Sequence, residues 1–289
     1  MMQETKVVLL GTGTPNACYD RSGPAIAVIV NNKPYIIDCG PGIVRQASNA
    51  YKRGIDALHP KNLDIAFLTH LHSDHTVGLP DLIFTPWVLE REKSLSLFGP
   101  KGTEKMTEHI LKAFQVDSHE RINGLEKANT SGGLVNIAVI QKGIIYEDDN
   151  VKVEAIPVIH GGFEAFAFKF TTANKTIVIS GDTAYSEALI ESAKGCDILV
   201  HEVFSGSRVK QRDPKWKKYH STVHTSTYEL GEIANKIKPG VLVLYHQLYM
   251  VDVHSSSDEL LYEISEEMVA EIREKFDGKI HFGNDLDII

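Results

Sequence analysis

The stretch Thr69-His70-Leu71-His72-Ser73-Asp74-His75 decides how this chain is read. It holds four metal-competent side chains within six residues. His70 and His72 are two apart, as are His72 and Asp74, and His75 follows at once. A regular helix would scatter these groups around its circumference. An extended segment running into a tight loop aims them inward as two sets. His70 and His72 then hold one ion, while Asp74 and His75 hold a second beside it. Imidazole with carboxylate suits Zn²⁺ or a similar borderline ion better than Mg²⁺ or Ca²⁺, which prefer all-oxygen sites. The apolar run 63–68 predicts a buried strand just before the cluster. The ligands therefore fall at a strand's C-terminal end, where α/β proteins place them.

The 289 residues are read as one domain, 1–289. Apolar content of 43% and charged content of 24% are ordinary for a globular chain with a sizeable core. The net charge of −8, with no block of consecutive like charges, argues mildly against a broad nucleic-acid-binding face, though a local basic patch could hide within it. Cys18, Cys39 and Cys196 are odd in number and far apart, so a reducing compartment is expected rather than a disulfide framework. The polar opening leads into only four apolar residues, and no run reaches membrane-spanning length. A cytoplasmic protein without membrane contact is the expectation.

Outward from the cluster, strands are predicted at 7–10, 25–30 and 34–38, the last two turning at Asn31-Asn32-Lys33. Gly11-Thr12-Gly13-Thr14-Pro15 makes a tight turn but lacks the third glycine and following helix of a dinucleotide site. Helices are expected at 43–53, 81–91 and 104–114, with a strand at 96–98 between the last two. Residues 117–133 read as a polar surface excursion. Strands follow at 134–140, 143–146, 151–158, 165–171, 176–180, 198–200, 241–245 and 279–282, with helices at 186–194, 226–237 and 257–276. Residues 205–219 read as a polar loop carrying Arg208, Lys210, Arg212, Lys215, Lys217 and Lys218. The class is α/β, two half-sheets each with helices in one four-layer domain.

Strand endings repeat one pattern. They deliver His70, His72, Asp74 and His75, then His160, then Asp182, then His246, each after an apolar run. Taken singly, His160 is as readily a loop histidine, Asp182 a helix N-cap and His246 a strand-end histidine. Together they make seven ligands for two sites. His70, His72 and His160 give one, Asp74, His75 and His246 the other, and Asp182 bridges them.

On these residues the chain resembles the metallo-β-lactamase fold superfamily, whose defining motif is His-x-His-x-Asp-His. The likeness extends through Asp38-Cys39-Gly40, His160, Gly181-Asp182-Thr183 and His246. Within the superfamily it is similar to the ribonuclease Z and arylsulfatase-like branch, through Gly11-Thr12-Gly13-Thr14-Pro15, His201-Glu202 and His224-Thr225-Ser226. The resemblance implies an αββα sandwich, two Zn²⁺ per chain (Mn²⁺ or Fe²⁺ as substitutes) in the grouping just given, and Asp38 as support beneath the metal loop. It also suggests a homodimer.

A metal-bridging hydroxide, formed at neutral pH because zinc acidifies water, would attack phosphorus, sulfur or carbonyl carbon. Asp74 is expected to accept the nucleophile's proton. His224 resembles the family histidine over the leaving-group side, oriented by Glu202, although it could merely cap the helix that follows. Ribonucleases Z carry a long tRNA-gripping arm between the third histidine and the bridging aspartate. Here His160 and Asp182 stand 22 positions apart, and no basic arm intervenes. tRNA is therefore disfavoured as a partner, since gripping a polyanion takes several phosphate contacts. The expected activity is hydrolysis of small anionic esters, aryl sulfate or phosphodiester, with ribonuclease Z-type tRNA processing and lactone hydrolysis as alternatives. The basic stretch Arg208–Lys218 reads first as a solvated loop. It is also the one candidate replacement for the arm, or it could cover the site and meet a small substrate's charge. Trp87, Trp216, Tyr219 and Tyr245 could line an apolar pocket, although such aromatics more often simply pack.

Overall fold

Val7 to Leu10 are fully buried, as a continuous apolar run in a strand requires. In the computed structural model, which describes residues 4–289, this run lies in β1 (Thr5–Gly11). The described chain divides into two compact units. The first comprises the residues up to Gly11, Ser22–Gln141 and Asp285–Ile289. There β1 pairs antiparallel with β2 (Ala25–Val30), and β2 with β3 (Lys33–Ile37). The β2–β3 turn places Asn31 and Asn32 at φ 50° and 62°, the left-handed pair that a two-residue hairpin needs and asparagine tolerates. Helix α1 (Ile43–Lys52) buries Ile43, Val44, Ala47 and Ala50 on one stripe. It is followed by β4 (Ile65–Phe67), the single turn α2 (Ser73–Thr76), α3 (Leu79–Val88), β5 (Leu95–Gly99), α4 (Thr103–Ala113), α5 (Gln115–Asn123) and β6 (Val135–Val139).

Among the described residues the first sheet runs β1-β2-β3-β4-β5-β6 and is parallel from β3 onward. The C-terminus returns to it, with Val7 N donating to Ile289 O at 3.1 Å. Two expectations need correction. The strand before the metal stretch is shorter than 63–68, because the chain turns away once Leu68 N has bonded Phe98 O. The excursion 117–133 opens with α5, supported by an Arg121–Asp117 pair at helical spacing.

Arg91 is the largest fully buried side chain of this unit. Its guanidinium donates to four backbone carbonyls, Leu63, Leu82, Ile83 and Gly132, at 2.7 to 3.0 Å. Burial pushes it down to about 10. Replacing Arg91 with methionine strands four carbonyls, each worth about 1–3 kcal/mol when left unsatisfied. We expect a loss of at least about 3 kcal/mol in a urea melt. A midpoint unchanged from wild type would refute the role.

The second unit comprises Thr12–Arg21 and Lys142–Asn284. Its strands are β7 (Gly143–Glu147), β8 (Lys152–His160), β9 (Phe163–Thr171), β10 (Thr176–Ile179), β11 (Ile198–Phe204), β12 (Val241–Leu248) and β13 (Ile280–Phe282). They form a sheet in sequence order among the described residues, antiparallel through β10 and parallel from β10 to β13. Helices α6 (Glu187–Ala193), α8 (Thr227–Ile237) and α9 (Asp258–Arg273) bury Leu189, Leu230, Ile233, Ile264 and Met268 in its core. The expected loop 205–219 contains a helix, α7 (Pro214–Val223). Asp213 caps it, accepting from Lys215 N at 2.8 Å, and Pro214 fills the first turn. No helix of the described residues is long and apolar enough to cross a membrane.

Candidate metal centre

In the first unit everything hangs on Asp38. It follows β3 at φ 60°, a left-handed conformation that costs a non-glycine residue free energy and so marks a constrained site. Its Oδ1 accepts from Thr69 N at 2.8 Å, and its Oδ2 accepts from Thr69 Oγ1 and His75 Nδ1, each at 2.8 Å. Thr69 Oγ1 in turn accepts from His70 Nδ1 at 2.9 Å. Both rings are thereby oriented so that Nε2, not Nδ1, is the nitrogen that could take an ion. His70 Nε2 stands 3.0 Å from His72 Nδ1, and His75 Nε2 stands 3.5 Å from Asp74 Oδ2. Two ligands on one tetrahedral ion with bonds near 2.0 Å lie about 3.3 Å apart, so both pairs have the spacing of shared ligation. The loop is held down by Cys39 N donating to His75 O and Gly78 N to Cys39 O, each at 2.8 Å. A Cβ on Gly78 would meet Gly40 O at 2.3 Å, so only glycine lets the two backbones approach this closely.

In the second unit three imidazoles converge on one carboxylate oxygen. Asp182 Oδ2 lies 4.0 Å from His160 Nε2, 3.6 Å from His246 Nε2 and 3.9 Å from His224 Nδ1. These separations are too long for hydrogen bonds and are comparable to those of ligands about a cation. His160 Nδ1 donates to Val223 O at 2.7 Å, again leaving Nε2 to bind. His246 is a β-bulge. Opposite β11 the register passes from Tyr245 to Gln247, and His246 takes φ 46°. The bulge re-aims its side chain. Arg21 braces it, donating to Gln247 Oε1 at 2.6 Å and to Tyr249 Oη at 3.1 Å. The donor set in both units is imidazole plus carboxylate, with several rings oriented from behind, and it fits a borderline divalent cation.

Beside the ligands, Glu202 Oε1 accepts from His224 Nδ1 at 3.2 Å, Thr225 N at 3.0 Å and Thr183 N at 3.2 Å. Burial, then the charge of Asp182, push the Glu202 carboxyl well above its usual range. Ser226 caps α8 in a capping box with Glu229, so His224 is not the cap of that helix. His201, completely buried, donates from Nδ1 to Glu202 O at 2.7 Å, and burial pushes it down to about 4. Between pH 6.5 and 4 the unfolded chain binds a proton at this residue that the folded one refuses, so stability falls as pH falls. The span corresponds to about 3 kcal/mol. We expect the stability gap between wild type and His201→Asn to narrow by that order from pH 7 to 4. Parallel pH profiles would contradict it.

Trp87 and Tyr245 are core residues rather than a pocket wall. Trp87 packs on Gly133 in the first unit and donates to Asn129 O at 2.9 Å. Three contributors were not foreseen from the sequence. They are Thr69, the Val223 carbonyl and Arg21, groups whose residue types carry no ligand signal.

Residues 34–247 match the β-lactamase superfamily domain. Ribonuclease Z of Mycobacterium bovis (strain BCG / Pasteur 1173P2) is 30% identical over 285 residues, covering 97% of this chain and 96% of that protein. The chain belongs to the β-lactamase superfamily and to its ribonuclease Z family. Structures agree on the fold. A metallo-β-lactamase fold protein from Bacillus subtilis superposes with TM-score 0.71 at 17% identity, covering 99% of this chain and 98% of the other. Human tRNase Z, short form, gives 0.69 at 18%, covering 98% of each. A member of this family is a metallo-hydrolase.

Membership corrects the functional expectation. Small anionic esters stood first and tRNA was disfavoured, chiefly because no arm separates His160 from Asp182. The structure bears out that absence, since β8 turns directly into β9 with His160 paired to Phe163. Yet the near full-length ribonuclease Z relative shows that an armless chain still falls in this family. A whole-chain net charge of −8 leaves room for a local basic patch.

Proposed function

We propose that the protein is a ribonuclease Z-type endonuclease that processes the 3′ side of precursor tRNA. The likeness to ribonuclease Z across 97% of the chain carries this reading. On it, the chain acts as one domain, and His70, His72, His160, Asp74, His75, His246 and Asp182 would together hold two zinc ions. Zinc so held supplies acidified water at neutral pH and offsets negative charge on the phosphate. The chain's own groups do the rest. Asp38 fixes the metal loop through Thr69 and His75. Asp74 receives the nucleophile's proton. Glu202 fixes the ring of His224, which steadies or protonates the leaving oxygen. Three unpaired cysteines suit a reducing, cytoplasmic setting.

The test is precursor tRNA with a 3′ trailer, offered to zinc-loaded protein at substoichiometric concentration. One cut at the 3′ side is expected. An intact precursor with full metal occupancy overturns the proposal.

A further inference from the structure

Helix α7 has no part in the ligand sets, yet its composition is unusual. Trp216 and Tyr219 are 42% and 39% exposed, although large aromatics normally seek burial. Their rings form a descending series. Trp216 meets Tyr219 edge-on at 5.8 Å between centroids and lies 6.0 Å from His220. Tyr219 lies 6.2 Å and His220 5.7 Å from His224, whose exposure is only 5%. Positions 216, 219, 220 and 224 fall on one helical face continued into the residue beyond it. The row thus runs from solvent down to the residue assigned to the leaving group, over about 12 Å at 1.5 Å per residue.

The charge beside this row is as distinctive. Arg208 is paired with Glu267 at 2.9 Å, and Lys210 lies over Tyr228. Lys215 lies over the Trp216 ring, 5.3 Å from its centroid, and neither it nor Lys217 or Lys218 has a carboxylate in ion-pair range among the described residues. Asp213, the acidic residue of this stretch, spends a carboxylate oxygen on the helix N-terminus. A chain of net charge −8 therefore carries a locally cationic helix with an exposed aromatic row.

We propose that α7 is the platform for the unpaired nucleotides next to the scissile phosphate, with bases stacking on Trp216 and Tyr219 and phosphates meeting Lys215, Lys217 and Lys218. The inference rests on the RNA-cleaving reading above and adds a substrate-binding subsite to it. Aromatic faces interleaved with cations are how proteins hold single-stranded nucleic acid without reading its sequence. A duplex hides its base faces and would use the lysines alone. At about 3.4 Å per stacked base, the row has room for roughly three. The helix also supplies, in another place, the phosphate contacts that an arm would have made.

The experiment measures binding of a fluorescently labelled, unstructured RNA to the full zinc-loaded chain by polarisation, separately from cleavage of precursor tRNA. W216L/Y219L keeps apolar bulk but removes the rings, and W216F/Y219F keeps stacking. The leucine pair should bind the RNA about ten- to a hundredfold more weakly, with the phenylalanine pair within about threefold of wild type. K215A/K218A should flatten the salt dependence by roughly one to two phosphate contacts. In cleavage, the leucine pair should raise KM more than it lowers kcat. Wild-type affinity in the leucine pair overturns the platform, as does equal loss in both aromatic pairs or equal binding of a blunt duplex. Failure of the wild-type protein to cut precursor tRNA, with ring-dependent binding of single-stranded RNA retained, overturns the processing reading and supports the platform.

Discussion

Replacing Asp182 with alanine strips bound metal from the protein and lowers phosphodiester cleavage on the order of a thousandfold, about 4 kcal/mol of barrier. The reason lies in the second unit alone. Asp182 Oδ2 is the point on which His160, His246 and His224 converge at 3.6 to 4.0 Å. Without that anion, three imidazoles face one another with nothing to balance a divalent charge. The backbone should survive, because Gly181 at φ 58° makes the turn and Thr183 N bonds Glu202 independently of the Asp182 side chain. Metal analysis and turnover should therefore fall together while the thermal transition of the apoprotein stays close to wild type. Full metal content with full turnover would exclude Asp182 as a ligand.

His224→Ala behaves differently. Metal content is retained, and kcat on an RNA substrate falls about a hundred- to ten-thousandfold, the usual worth of a positioned acid–base group. An alkoxide leaving group needs a proton or a strong donor. A nitrophenolate does not, so the loss on a bis-nitrophenyl phosphodiester should be much smaller. Equal losses on both would assign His224 to ground-state binding or structure. Glu202→Gln should show a milder version of the same split, since an amide oxygen can still accept from Thr225 N and Thr183 N but holds the His224 ring less strongly.

Residues 69–75, and the strand-end positions of His160 and Asp182, were legible because few residue types can ligate a metal and an apolar run marks the strand before each, whereas His246 lies inside β12 rather than at its end. Hairpin 25–37 was legible because Asn31-Asn32 is a turn dipeptide between two continuous apolar runs. Helix α7 was missed although Asp213-Pro214 is a helix-start signal. Its apolar residues are few, and it buries only Val223, so the periodicity that announces a core-facing helix was absent. The bulge at His246 could not be seen, because a one-residue register change follows from pairing with β11 and leaves no mark in residues 241–248. The substrate expectation leaned on one missing segment between His160 and Asp182, whereas the likeness that places the chain in its family runs over 97% of its length.

The left-handed His246 has a consequence for how this protein tolerates change. Asparagine or glycine would sit at φ 46° with less strain, by roughly 1 kcal/mol for glycine, and Arg21 and Gln247 would still hold the strand around it. Neither offers an imidazole. Folding and chemistry therefore pull this position in opposite directions. A library selected for thermal endurance alone would drift away from histidine here, and the survivors would be sturdier proteins with an incomplete ligand set.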